Sequence, residues 1–459
     1  MSSPPHGPDD RSGRLPAPGA PPSSSAPDDQ TLNPSWMGRV DPEAYTEPGA
    51  RYGGTRPFRE APLQPAPGHW QQPWNGPQLQ GHPAAQQHWQ LQQAFPQPVH
   101  RNINPATLAL MIIGGVLAFL SLVLVLPMLL SNVGGQGFLA GFLTSLIPLA
   151  IVLTAVYFMD RWEPEPRKLL VFALLWGATV AVATTTIIQP FFLTLAPPGS
   201  SKTDLLNFLA TVEAPIVEEF SKSLGLLLLA LLARKYFDGP VDGLVYAFTI
   251  AAGFAFTENI LYFGRTLVEE EGAGTSFWTI VFLRGILSPF AHALFTGTTG
   301  LLMGFAARRW NRGLTVAAFF VGLLPAMFLH NRWNSMGADF LWLYIVVQMP
   351  IFFLAVLGFV FLRIAEAKLT RARLGEYAAA GWLTWQEVTL FATGAGRRFA
   401  KRWAAQYGRQ KVMTDLIRTA TALAYTRQRI LSGRDLIRLQ EDEHRLLERL
   451  GQLRATVTA

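Results

Sequence analysis

The feature that most constrains this chain is a series of apolar stretches, each about as long as a bilayer is thick, between residues 106 and 364. A helix of ~20 apolar residues crosses the hydrocarbon core. In lipid every backbone N–H and C=O must be satisfied internally, so stretches of this kind fold as helices. Eight are read from the sequence, at 106–131, 138–159, 168–196, 205–233, 241–263, 276–307, 313–335 and 339–364. The whole chain is 50% hydrophobic and only 15% charged, the balance of a membrane protein rather than a soluble one. The expected fold class is therefore all-α: a polytopic membrane protein with about eight transmembrane helices.

Charge orients the helices. Arg161, Arg167, Lys168, Arg234, Lys235, Arg308, Arg309 and Arg312 fall in alternate connections, and Lys368, Arg371 and Arg373 follow the last stretch. The opposite connections offer Lys202, Arg265 and Arg332. Basic loops stay on the cytoplasmic side, so the sequence predicts a multi-pass protein of a bacterial plasma membrane with both termini cytoplasmic. The net charge of +7 is accounted for in this way and does not point to nucleic acid. The chain has no cysteine, which excludes disulfides, cysteine nucleophiles and thiolate metal sites.

Two flanking regions differ from the apolar core. Residues 1–104 are rich in Pro, Gly, Ser, Gln and His, and read as a disordered cytoplasmic tail. No apolar core lies near Met1, so no secretory signal is expected there. Residues 105–366 form the expected transmembrane domain. Residues 367–459 are basic and helix-forming, with Leu416, Ala420, Leu423 and Ile430 at near-helical spacing and Ser432-Gly433 as a break. This cytoplasmic extension reads as a partner-binding or membrane-surface helix pair, or as a plain solubilising tail.

Ionisable residues inside the apolar stretches carry the functional signal. Glu218, Glu219 and Lys222 lie at the centre of 205–233, and Glu258, His292 and His330 each sit on a stretch of their own. A charge at a helix centre costs roughly 2.5–3.5 kcal/mol on insertion scales, so such residues mark a functional site by default. Glu218 and Lys222 are four apart and are expected to pair, with Glu219 a quarter turn away and pointing elsewhere. Phe254 shares a face with Glu258, Asn259 follows it, and His330 and Asn334 are four apart. Glu213 and Arg284 read as supporting charges. Three acids and two histidines suffice to hydrolyse an amide. A glutamate can take a proton from water, and imidazoles with an acid can hold a divalent metal such as zinc. His and Asn can equally serve an oxyanion without metal. Pro215, Pro289 and Pro325 precede Glu218, His292 and His330, and helix bends there would widen a cavity.

Glu218-Glu219-x-x-Lys222, Phe254-x-x-x-Glu258-Asn259, His292 followed by Gly297, and His330-x-x-x-Asn334 together resemble the motif series of PrsW-type intramembrane proteases. That family is similar in turn to the CAAX-prenyl endopeptidase and Abi superfamily. Asp160-Arg161-Trp162-Glu163-Pro164-Glu165-Pro166 also resembles a segment of the family. The resemblance implies a membrane-embedded peptidase, metallo- or glutamate-dependent, that cuts membrane-anchored proteins, with the first cut of an anti-sigma factor as the family's known example. It implies Glu218 and Glu219 as the acidic pair, and Glu258, His292 and His330 as metal ligands or water-holding groups. Asn334 would be the oxyanion donor, and Lys222, Phe254 and Asn259 would support. Glu258 stands where the prenyl-endopeptidase branch carries histidine. Two rivals use the same residues: an ion- or proton-coupled transporter, which should show inverted repeats, and a non-catalytic membrane receptor or scaffold.

Overall fold

The structure is a computed structural model and describes residues 105–336, 340–431 and 436–458. The Pro/Gly/Gln-rich tail and the Ser432-Gly433 break lie outside the described residues. Everything described is helix or connection, so the all-α expectation holds.

Among the described residues, six helices are long and apolar enough to cross a membrane. The first, α1 (Pro105–Met159), is 55 residues long and turns at Gly134, where φ is 63° and ψ 176°. That left-handed φ suits glycine, which has no Cβ to clash. The bend makes a hairpin. Leu110 clusters with Leu169 and Leu229, and Met159 with Val241 and Val245, so both ends of α1 lie at one level. Its middle lies at the other level, where a Cβ on Gly137 would stand 2.9 Å from the Gly264 carbonyl. α1 therefore supplies two crossings.

Next comes α2 (Arg167–Thr194), then α3 over 202–232. α3 is not among the six because its centre holds Glu218, Glu219 and Lys222. α4 (Pro240–Glu269), α5 over 275–287, α6 (Ala291–Ala307), α7 (Arg312–Asn334) and α8 over 340–379 complete the membrane part. α5 and α6 together make one crossing. With α1 counted twice and α3 included, eight crossings result among the described residues, matching the eight apolar stretches.

Burial shows what solvates each helix. In α4, 72% of the apolar window is buried by protein, whereas in α8 only 6% is, although α8 is the more apolar of the two. Phe119, Leu120, Phe328 and Phe361 project outward in the same way. An apolar surface of this extent is stable only against lipid. α4 is the centre of the bundle, and glycine lets its neighbours reach it. A Cβ on Gly243 would fall 2.0 Å from the Gly300 carbonyl, and one on Gly300 would fall 2.3 Å from the Gly243 carbonyl. Backbone-to-backbone approach of this kind is how small residues join membrane helices.

Four π-helical turns interrupt the crossings: Trp176–Ala181 in α2, Leu209–Glu213 in α3, Val281–Leu287 in α5 and Tyr344–Gln348 in α8. Such turns gather at functional sites. Pro215 and Pro350 stand just after two of them, and Pro289 sits in the gap between α5 and α6. That gap starts α6 one residue before His292.

α8 runs on unbroken through residue 366, and α9 (Trp385–Ala392), α10 (Gly394–Gln406), α11 (Gln410–Leu431) and α12 (Leu436–Thr458) pack around its end. Their core holds Leu374, Phe391, Ala404, Leu416, Ala420, Leu423 and Leu450. This bundle is docked on the α1–α2 and α3–α4 connections. The Arg397 guanidinium lies 3.5 Å over the Trp162 ring, and Arg429 pairs with Asp238 and Glu163. Beneath it, burial pushes the Asp160 carboxyl up to about 6, despite the Glu165 backbone N–H that it accepts.

Two outcomes follow. Gly300→Leu places side chain against the α4 backbone, so we expect about 1–3 kcal/mol of destabilisation or more, read as a lower unfolding midpoint in detergent. Because the chain has no native cysteine, Lys202→Cys and Arg309→Cys report topology cleanly. An impermeant thiol reagent should reach the first from outside the cell and the second only after permeabilisation.

Candidate active site

Lys222 is the hub of the polar cluster. It is fully buried, as is Glu219. Its Nζ lies 2.6 Å from Glu219 Oε1, 3.5 Å from Glu218 Oε2 and 3.3 Å from His292 Nδ1. It also sits 4.3 Å from the centre of the Phe254 ring, a cation–π contact from α4. The sequence predicts that Glu218 pairs with Lys222 and that Glu219 points away. The structure instead gives Glu219 the shorter contact, because on a helix the i,i+3 and i,i+4 positions both face a given residue.

Glu219 is held on every side. His330 Nδ1 is 3.1 Å from its Oε1, and the Thr296 hydroxyl donates to its Oε2 at 2.9 Å. Thr296 lies one turn after His292 on α6, so the same helix face delivers both. Glu218 is different. It is only 6% exposed, and its Oε2 is a buried oxygen with no hydrogen-bond partner. His330 Nε2 stands 3.8 Å from that oxygen.

Glu258 is placed by α5. Arg284 Nη2 donates to Glu258 Oε2 at 2.5 Å, and Arg284 Nε donates to Asn259 Oδ1 at 2.9 Å. The guanidinium lies 3.9 Å over the Tyr262 ring. Glu258 Oε2 in turn meets His292 Nε2 at 2.8 Å. A carboxylate only accepts, so these partners fix both tautomers. His292 carries its proton on Nε2, toward Glu258, and His330 carries its proton on Nδ1, toward Glu219. The lone pair on His292 Nδ1 then meets the Lys222 ammonium, and that on His330 Nε2 faces Glu218. The two rings are 5.2 Å apart and perpendicular, and Phe295 stacks on His330 at 5.0 Å.

The structure thus brings Glu218, Glu219, Lys222, Phe254, Glu258, His292 and His330 to one place, from α3, α4, α6 and α7. It divides them differently from the sequence reading. Glu218, His292 and His330 each offer a ligand atom within 4.8 Å of the others, whereas Glu258 stands behind His292. Asn334 touches none of them; its Nδ2 donates to the Ala210 carbonyl at 2.7 Å. Asn259 serves Arg284 rather than an imidazole. Glu213 is buried, with an oxygen lacking a partner, at the end of a π-helical turn. Sequence reasoning missed Thr296 as a partner of Glu219. Its i+4 spacing from His292 was the available signal.

Acids and imidazoles enclosed by membrane-crossing helices, with a buried carboxylate oxygen that no hydrogen bond occupies, define a membrane-embedded hydrolase. A family model described as PrsW family intramembrane metalloprotease matches residues 165–357, which hold every one of these groups. Protease PrsW of Clostridioides difficile is 28% identical over 193 residues, covering 41% of this chain and 76% of that relative. Protease PrsW of Geobacillus kaustophilus is 30% identical over 190 residues, covering 41% and 75% respectively. Protease PrsW of Bacillus subtilis is 28% identical over 158 residues, covering 34% and 63%. No solved structure matches. The chain belongs to the PrsW family of intramembrane proteases, and is a membrane-embedded peptidase.

Removing one partner from a buried ion pair strands the other charge, at about 3–5 kcal/mol. Lys222→Met should therefore destabilise by that order, since Glu219 has no exposure to water. Thermal unfolding of purified variant and parent checks it.

Proposed function

We propose that this intramembrane endopeptidase uses Glu218 to accept the proton of the attacking water. The observation that carries the reading is the division of labour among the acids. Glu219 is engaged by Lys222, His330 and Thr296, and Glu258 by Arg284 and His292. Glu218 alone of the three keeps a buried oxygen without a hydrogen-bond partner. A base must have a lone pair to offer, and Glu218 has it.

Glu218, His292 and His330 each offer an atom within 4.8 Å of the others, a donor set that would suit a divalent metal such as zinc, with the second Glu218 oxygen left to take the proton. One carboxylate and two imidazoles match its preferred ligands. Both imidazoles are backed by a carboxylate on the far nitrogen, the arrangement that orients metal-binding histidines and raises their basicity. Glu219 and Glu258 are those backing groups. When bound, such a metal lowers the pKa of water and polarises the carbonyl to be attacked. Lys222 holds Glu219 in place, and the Phe254 ring supports the ammonium from the other side.

The substrate in this reading is a peptide bond of a membrane-anchored protein, and the lipid bilayer is the medium from which it arrives. An anti-sigma factor is the specific substrate we infer from the motif resemblance. Both termini face the cytoplasm in this reading, supported by the basic connections at Arg161, Arg234 and Arg308. Glu258 and His330 then lie in the outer half of the membrane, suited to a cut near the external face.

Glu218→Gln should lower cleavage of a membrane-anchored reporter by at least about 100-fold, the scale of a lost general base, with an unfolding midpoint close to the parent's. His292→Ala and His330→Ala should each lose bound zinc in elemental analysis of the purified protein. Full cleavage by Glu218→Gln would defeat the assignment.

A further inference from the structure

The π-helical turn Leu209–Glu213 lies one turn before the acidic pair and sets where that pair points. Its register is visible in the Ala214 N–H, which donates to the Leu209 carbonyl five residues back. The next donor in that register is residue 215, whose acceptor would be Ala210. In ordinary α register residue 215 would serve Thr211. Residue 215 is proline and has no N–H to give. A carbonyl left without a donor in a membrane interior is costly, so it takes a partner from elsewhere.

Ala210 and Thr211, the two acceptors open to that missing N–H, are both served from α7. Asn334 Nδ2 donates to Ala210 O at 2.7 Å, and Asn331 Nδ2 donates to Thr211 O at 2.5 Å. These contacts join positions more than a hundred residues apart, and α7 is the helix that carries His330. Asn331 is the next residue after His330, and Asn334 lies one turn beyond it.

We propose that Asn334 and Asn331 are positioning residues that serve the carbonyls at the π-to-α step before Pro215, Asn334 in place of the N–H that the proline withholds, and so set the distance from Glu218 and Glu219 on α3 to His330 on α7. The asparagines act through backbone, not on the reacting atoms. They hold His330 Nε2 at 3.8 Å from Glu218 Oε2 and Nδ1 at 3.1 Å from Glu219 Oε1. Glycine or alanine at 334 would leave Ala210 O bare and allow α3 and α7 to part. This assignment rests on Glu218, Glu219 and His330 forming the active site. It gives Asn334 a different task from the oxyanion donor expected of it by resemblance.

The proline provides the test, because an alanine at 215 returns an N–H to the turn. Asn334→Ala, Pro215→Ala and the double variant are made in the full chain, purified in detergent and compared for zinc affinity, kcat, KM and unfolding midpoint. Asn334→Ala should weaken zinc binding at least tenfold and lower kcat, with KM within about twofold of the parent. Pro215→Ala added to it should restore zinc affinity and unfolding midpoint by half or more. Asn331→Ala should behave as Asn334→Ala does, to a smaller extent. A kcat loss in Asn334→Ala with zinc affinity unchanged overturns the proposal and returns Asn334 to direct contact with the reaction. Failure of Pro215→Ala to restore anything overturns it too. If Asn334→Ala does not yield folded protein, the yield and unfolding midpoint of the double variant decide, recovery supporting the proposal and its absence overturning it. Retained cleavage by Glu218→Gln would sink the functional reading instead, and is measured separately.

Discussion

The structure depends on one buried ammonium. Lys222 stands within reach of two glutamates, an imidazole and an aromatic face, and is fully buried. A charge taken out of water costs several kcal/mol, and only close partners and hydrogen bonds offset it. Glu218 and Glu219 share its helix, but His292 comes from α6 and Phe254 from α4, so placing the charge also joins the helices. Glu219 is recruited by the same logic, and through Glu219 come His330 from α7 and Thr296 from α6. On the other side of the site Arg284 does the same for Glu258, through which His292 is held. Two cation–carboxylate–imidazole chains, Lys222–Glu219–His330 and Arg284–Glu258–His292, meet at Glu218.

Much of this was legible in the sequence, because lipid simplifies the rules. A stretch of ~20 apolar residues has one main way to satisfy its backbone, so eight crossings could be counted, including the two that the structure joins through Gly134. Charged residues within them stood out because they are costly there. What the sequence could not rank was which acid does what. Glu218 and Glu219 differ by a rotation of about 100° on one helix. Only the neighbours on α6 and α7 show that Glu219 is saturated while Glu218 is not. Asn334 illustrates the same limit: its motif spacing suggested a role at the reacting centre, and its side chain bonds a carbonyl whose need arises from Pro215. Thr296 was overlooked because a threonine in a membrane helix commonly bonds its own helix, as Thr249 and Thr266 do here.

The C-terminal helices were legible as helices and not as a docked bundle. The near-helical recurrence of Leu416, Ala420 and Leu423 gave the buried face of α11. Its surroundings could not be read, since contacts such as Arg397 over Trp162 and Arg429 with Glu163 join residues more than two hundred positions apart. Those contacts fall on the Asp160–Pro166 segment, which resembles the family pattern, while the helices that cover it lie beyond the matched region of residues 165–357. An addition outside the matched region is seated on a connection whose sequence follows the family pattern.

The glycine contacts along α4 carry a mechanical meaning. At Gly243 and Gly300, and again where Gly253 meets the Leu174 carbonyl and Gly177 the Ile250 carbonyl, α2, α4 and α6 press backbone on backbone with no side-chain cushion at those points. Cushioned interfaces yield by rotating methyl and phenyl groups; bare ones do not. Glu258 and His292 therefore ride on a stiff chassis; α7 joins it at one bare point, Gly322 against Thr299 of α6, whereas α3 meets α2 through the Trp176 ring at Gly225. Any breathing that admits a polypeptide then comes most easily at α3, so the acidic pair stands on a more compliant support than the imidazoles.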